Sequence, residues 1–285
     1  MNNTTARFDS PWVRSFLLAL ALLVTPAVSS AAVYVSVAIA PPVLPVYTQP
    51  LVPGPGYIWT PGYWAYGPEG YYWVPGTWVA APYVGALWTP GYWGWGGAAF
   101  LWHAGYWGPH VGFYGGVNYG FGYIGVGYHG GYWNGGSFSY NRAVTNVNVT
   151  NIHNTYNQTV EQNVGLSRVS YSGGAGGINA QPTAEERLAE RDVHQAPTQL
   201  QTRHQQLAST NRAQLASVNH GAPSLMATSK AAAFKQPYAG TAKVGHPQNT
   251  AAGQPMAHTQ QGHVQGTPHA QSEPHGEHHE EGRGR

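Results

Sequence analysis

Trp59-Thr-Pro-Gly-Tyr-Trp64 recurs as Trp73-Val-Pro-Gly-Thr-Trp78, as Trp88-Thr-Pro-Gly-Tyr-Trp93 and as Trp102-His-Ala-Gly-Tyr-Trp107, with starts 14, 15 and 14 residues apart. That period is too short for helical-repeat or propeller-blade units, but it fits one strand of about ten residues plus a turn of about four. Aromatic side chains suit a pleated surface, and Gly67-Pro-Glu-Gly70 and Pro82-Tyr-Val-Gly85 carry turn chemistry between the copies. The expected fold is mainly β, a short-stranded antiparallel meander of aromatic repeats. A worn copy, Tyr128-His-Gly-Gly-Tyr-Trp133, follows a Gly/Tyr/Phe segment at 111–127 that keeps the composition and loses the spacing.

The Pro-Gly pair within the motif needs its own explanation. Pro61, Pro75 and Pro90 have no N–H to give a ladder, and Gly62, Gly76 and Gly91 permit positive φ. The pair forms either a type II turn or a bulge or bend within the strand; type II turns splay a two-residue hairpin, which favours the bend. Tryptophans five apart face opposite sides of a regular strand, and a one-residue bulge would bring them to the same side. The indoles then have two possible roles. As a core, each buries roughly 150 to 250 Å². As an exposed surface, they offer flat faces to a sugar or a protein. On the second role the ligand-binding residues would be Trp59, Trp64, Trp73, Trp78, Trp88, Trp93, Trp102 and Trp107, and exposure of Trp64, Trp78 and Trp93 on one face would favour a glycan.

The 285 residues include 38 Gly, 22 Pro, 19 Tyr and 11 Trp, and 24 that carry formal charge. A charged fraction of 8% is about a third of that of an average soluble domain. A net charge of +2 gives no electrostatic case for nucleic acid or an anionic membrane surface. The absence of cysteine excludes disulfides, thiolate metal sites and acylation at a cysteine. Arg7 and Arg14, an apolar run from Phe16 to Val24, and small residues up to Ala32 have the layout of a secretory signal at 1–32. The apolar core is about half the length of a membrane span, so no transmembrane helix is expected after cleavage. Catalysis is not expected, because Glu69 and Glu161 are the only carboxylates between Val33 and Thr183 and acid–base chemistry generally takes a tuned pair.

The W-x-P-G-x-W copies, the run Gly105-Tyr-Trp-Gly-Pro-His-Val-Gly-Phe-Tyr-Gly-Gly-Val-Asn-Tyr-Gly-Phe-Gly122 and the segment from Ser170 to Thr183 resemble the YXWGXW (WXXGXW) repeat proteins of bacteria over roughly residues 33 to 220. The resemblance implies an exported protein of a Gram-negative envelope with no assigned activity and no catalytic residue. Some of the proteins it resembles are described as similar to the accessory O component of contact-dependent inhibition systems. Those are lipoprotein-like, and the lack of cysteine here means that their membrane anchoring does not carry over.

Around the repeats (57–140), residues 33–56 read as a Pro-rich strand or linker, and 141–180 as Asn/Thr/Val strands followed by a Gly-rich hinge at 172–177. At 181–220 a short helical pair is expected. Thr183 and Glu186 form a capping box that opens the first helix, and Leu200, Leu207, Leu215 and Val218 make an apolar stripe on a second helix at roughly 198–218. Residues 221–285 read as a disordered, His-rich tail. His275, His278 and His279 are the candidate metal ligands there, although their spacing fixes no geometry. No cofactor is expected. The functional expectation is a non-enzymatic envelope scaffold, located in the periplasm or on the outer surface, with an envelope protein or polysaccharide as partner and self-association as a further option. The alternatives are a glycan-binding module for peptidoglycan or exopolysaccharide, and a metal buffer acting through the tail.

Overall fold

The computed structural model describes residues 35–160, 168–234 and the strand Lys243–Val244. Two short strands come first, β1 (Ser36–Val37) and β2 (Thr48–Gln49). The repeats then give β3 (Tyr57–Thr60), β4 (Tyr63–Gly67), β5 (Gly70–Val74), β6 (Gly76–Ala80), β7 (Leu87–Thr89), β8 (Tyr92–Trp95), β9 (Phe100–His103) and β10 (Tyr106–Gly108). The fold is mainly β, made of many short antiparallel pairs with few helices.

Each W-x-x-G-x-W motif is one bent strand, and two consecutive motifs make one hairpin. β4 pairs with β5 near the turn and β3 with β6 beyond the bend, so that Trp64 faces Trp73 and Trp59 faces Trp78. The second hairpin repeats this arrangement, with Trp93 opposite Trp102 and Trp88 opposite Trp107. The Pro-Gly pair therefore sits in mid-strand, as the bend reading expected. Pro68 and Glu69 turn the first hairpin between the paired Gly67 and Gly70, and Gly70, at a φ of 97°, takes a positive-φ conformation that suits glycine. The hairpins do not continue into one meander, because β6 and β7 share no ladder.

Gly62, Gly76, Gly91 and Gly105 are absent from the positive-φ glycines. They are needed for space. A methyl group on Gly76 would stand 2.5 Å from the Trp59 indole, one on Gly91 2.5 Å from Trp102, and one on Gly105 2.5 Å from Trp88. Trp73 lies against Gly62 in the same way. Each motif's glycine thus receives the first indole of its partner motif, and the exchange is reciprocal across both hairpins.

The worn copy also forms a hairpin. After β11 (Asn118–Gly120) and β12 (Tyr123–Ile124), β13 (Gly131–Asn134) pairs with β14 (Ser137–Asn141), with Trp133 opposite Phe138. The Gly/Tyr/Phe segment before it fills the core with Tyr114, Val117, Tyr119, Phe121 and Tyr123, all buried.

Three later segments differ from their sequence reading. The alternating stretch after Val144 yields only β15 (Thr155–Tyr156). Within it Asn148 bonds its own backbone instead: its Oδ1 accepts from Thr150 N. Such local bonds compete with a ladder. The glycines at 172–177 are a packed turn and not a hinge. They follow β16 (Tyr171–Ser172), which pairs in parallel with β8, and Gly173 N donates to Ile178 O. Residues 221–234 are ordered into the fold: β17 (Ala227–Thr228) adds in parallel to β6, and Thr228 is fully buried. The rest of the expected tail lies outside the described residues, apart from β18 (Lys243–Val244), which pairs with β2.

The helices are α1 (Ala184–Ala189), α2 (Gln199–Ser209) and α3 (Ala216–Asn219), with a 3₁₀ turn at Arg212–Gln214. Thr183 and Glu186 form the expected capping box, and Thr198 and Gln201 form a second one. The stripe of Leu200, Leu207, Leu215 and Val218 does not dock as one face. Leu200 and Val218 are exposed, and the residues that α2 buries are His204 and Ala208. A polar anchor overrode the hydrophobic pattern: His204 Nε2 bonds Pro75 O, and its Nδ1 accepts from Ala232 N. Among the described residues no helix is long and apolar enough to cross a membrane.

Candidate functional site

The eight motif tryptophans form four cross-strand pairs with ring centroids 5.1 to 5.3 Å apart and planes 56° to 67° apart. Such tilted and edge-to-face contacts add about 0.5 to 1.5 kcal/mol per pair beyond the burial of area. Seven of the eight are buried, and Trp102 alone is partly exposed. Trp64, Trp78 and Trp93 are 1%, 0% and 2% exposed, so the face that would have favoured a glycan is not there.

Four of the motif indole N–H groups are held by segments outside the repeats. Trp64 Nε1 donates to Val43 O, Trp78 Nε1 to Pro50 O and Trp73 Nε1 to Met226 O. Trp107 Nε1 donates to Gln201 Oε1, which also accepts from Thr198 N in the second capping box. Trp93 Nε1 donates to Trp64 O and ties the two hairpins together. Residues 41–50 and 224–228 are thus part of the repeat body, because each supplies acceptors that buried indoles would otherwise lack.

A side chain next to a buried tryptophan on a strand points the other way. Tyrosine precedes the second tryptophan in three of the four motifs, as Tyr63, Tyr92 and Tyr106, and buried Thr77 does so in the other; in the second hairpin the tyrosines leave the core and build a groove. Tyr92 stacks on its cross-strand partner His103 at 4.4 Å and 5°, and Tyr106 stacks on His194 at 3.7 Å and 20°. Phe113 meets Tyr92 edge-on at 5.5 Å. Trp102 and Pro90 form the floor, and Glu190, the residue that ends α1, brings a carboxylate. The groove measures about 360 Å³. Burial first, and then the charge of Glu190, push the Tyr92 hydroxyl up to about 12. Partial burial holds His103 below its ordinary value of 6.5 and leaves it neutral at pH 7.

Pro90, Trp102 and Ala104 also line a smaller cavity of about 110 Å³ between the hairpins, under α2. All four bends meet there, through Pro61, Pro75, Pro90 and Ala104, with Gln201 and His204 above. Burial lowers His204 to about 4, so its ring is neutral and serves as a hydrogen-bonding post.

The sequence reading named the inward tryptophans and missed Tyr92, His103, Tyr106, Phe113, Glu190 and His194. The tyrosines carried a signal in the motif itself, since they alternate with residues assigned to a core. Glu190 and His194 carried none, being brought to the groove by the packing of α1. His275, His278 and His279 lie outside the described residues. No group of three or more His, Cys, Asp or Glu among the described residues is placed to hold a metal ion.

No curated protein and no solved structure matches this chain. The WXXGXW repeat family model matches it in two copies, at residues 54–79 and 87–107. Each copy spans one bent hairpin with its two reciprocal motifs. The repeats and their aromatic clusters fit a repeat-based scaffold or binding module. The chain thus contains the WXXGXW repeat twice, each copy built as one bent hairpin.

Proposed function

We propose that this is a non-enzymatic, exported protein of the cell envelope, in which the WXXGXW hairpins are a rigid scaffold that displays a binding groove. One observation carries the reading: seven of the eight motif tryptophans are spent on the core, while Trp102 and the tyrosines of the second hairpin line an open aromatic groove. The chemistry of the groove fits recognition better than turnover. Its single carboxylate, Glu190, has no second carboxylate beside it among the lining residues, and Glu69 sits exposed at a hairpin tip. Export rests on the layout of residues 1–32, which lie outside the described residues.

An envelope polysaccharide remains the second reading, now through the groove and Trp102 instead of the buried indoles. The test is co-sedimentation of the full chain with isolated envelope and with purified peptidoglycan. Saturable pelleting that is lost in a Tyr92→Ala/Phe113→Ala variant with an unchanged melting temperature supports the module. Pelleting that the variant leaves intact, or none with either material, sinks it. Peptidoglycan alone sufficing would select the glycan reading.

A further inference from the structure

We propose that the groove walled by Tyr92, Trp102, Tyr106 and Phe113 and closed by Glu190 binds the ammonium head of a small organic cation. The proposal rests on the reading of the repeats as a scaffold for a binding groove, and it names the ligand class.

Size comes first. A groove of about 360 Å³ falls within the roughly 300 to 1,000 Å³ of small-molecule sites. Its walls are aromatic rings, whose negative faces attract a cation within about 6 Å of the centroid. Glu190 supplies a full negative charge at the rim. No lysine or arginine lines the groove, so no lining side chain offers a permanent positive charge to an anion.

A neutral sugar would need a fan of free hydrogen-bonding groups, and two of the polar groups that line the groove are already engaged in the fold. Thr89 Oγ1 already accepts from Gly112 N, and His194 Nε2 is bonded to Ala189 O. Beside them stand four aromatic rings and the Glu190 carboxylate. That pairing suits a charge that spreads over methyl or methylene groups, because the rings take the apolar shell while Glu190 takes the charge.

Calorimetric titration of the full chain with choline chloride, with its uncharged isostere 3,3-dimethyl-1-butanol and with N-acetylglucosamine separates the alternatives. Choline should bind about tenfold tighter than the isostere. Glu190→Gln should weaken choline and leave the isostere unchanged, and because Glu190 is exposed at a helix end the variant keeps the fold. Phe113→Ala should weaken both. Equal binding of choline and the isostere would overturn the proposal in favour of an apolar groove. Saturation by N-acetylglucosamine without choline would overturn it in favour of a sugar site, and silence from all three probes would overturn it outright. None of these results touches the scaffold reading, which stands or falls on co-sedimentation with the envelope.

Discussion

Replacing Gly105 by Ala tests whether the motif glycine is there for space or for backbone freedom. Gly105 does not adopt a positive φ, so alanine costs nothing in backbone conformation. Its methyl group would meet the Trp88 indole at 2.5 Å, Gly91 N at 2.7 Å and Thr89 O at 2.7 Å. An ordinary carbon contact lies at about 3.5 to 4.0 Å, so the first is about 1 Å too close. Two of the three neighbours are backbone and Trp88 is buried in a cross-strand pair with Trp107, so nothing nearby can yield cheaply. Overpacking of this kind costs about 1 to 3 kcal/mol, and the stiffer unfolded chain returns about 0.4 to 1 kcal/mol. A net loss of about 1 to 1.5 kcal/mol is expected, which lowers the melting temperature by about 2 to 6 °C in a body of this size. Gly136→Ala is the control, since nothing lies within 4 Å of its added methyl and its φ is not positive. It should be neutral or slightly stabilising. Urea unfolding followed by tryptophan emission measures both variants. If Gly105→Ala matches Gly136→Ala within about 0.5 kcal/mol, the account of indoles held on glycines is wrong.

Two further outcomes follow from the hydrogen bonds around the repeats. His204 is held at about 4 when folded against 6.5 when unfolded, so protons favour the unfolded chain; its contribution is intact above about pH 6.5 and is lost as the pH falls toward 4, by up to about 3 kcal/mol at about 1.4 kcal/mol per pKa unit. Stability measured from pH 7 to pH 4 should fall less steeply in His204→Gln, and an unchanged slope would remove His204 as the acid-sensitive post. Gln201→Ala strips the acceptor from both Trp107 Nε1 and Thr198 N, and a buried donor left without a partner costs about 1 to 3 kcal/mol. A Gln201→Glu variant, which keeps an acceptor, should recover most of that loss in the same urea assay; failure to recover would mean that the amide acts through packing alone.

The strands, their length and the turn at Gly67–Gly70 were legible in the sequence, because aromatic spacing and turn residues act locally. The placement of Pro-Gly in mid-strand was legible as well, from the poor match between a type II turn and a hairpin. The reason for the glycine was not, since a close approach by Trp59 to Gly76 depends on which strands pair. The Asn-rich stretch misled because alternation was read as a ladder, whereas the side chain of Asn148 turned back on its own backbone. The helix at 199–209 misled for a related reason: its leucines suggested the docking face, and a buried histidine with two backbone partners set it instead.

The sequence by itself determined that this is a β-repeat protein, with four aromatic strands of equal build, almost no charge among them and no cysteine to staple them. Those are consequences of period and composition, which act wherever the chain goes. The tertiary structure decided which ring faces inward. Pairing two motifs head to head across a bend buries seven of eight tryptophans and turns Tyr92 and Tyr106 outward, and the packing of a helix from beyond residue 180 then sets Glu190 and His194 beside them. A site assembled across about 100 residues of chain has no local signature, because its members owe their proximity to hydrogen bonds and packing that only the folded body makes.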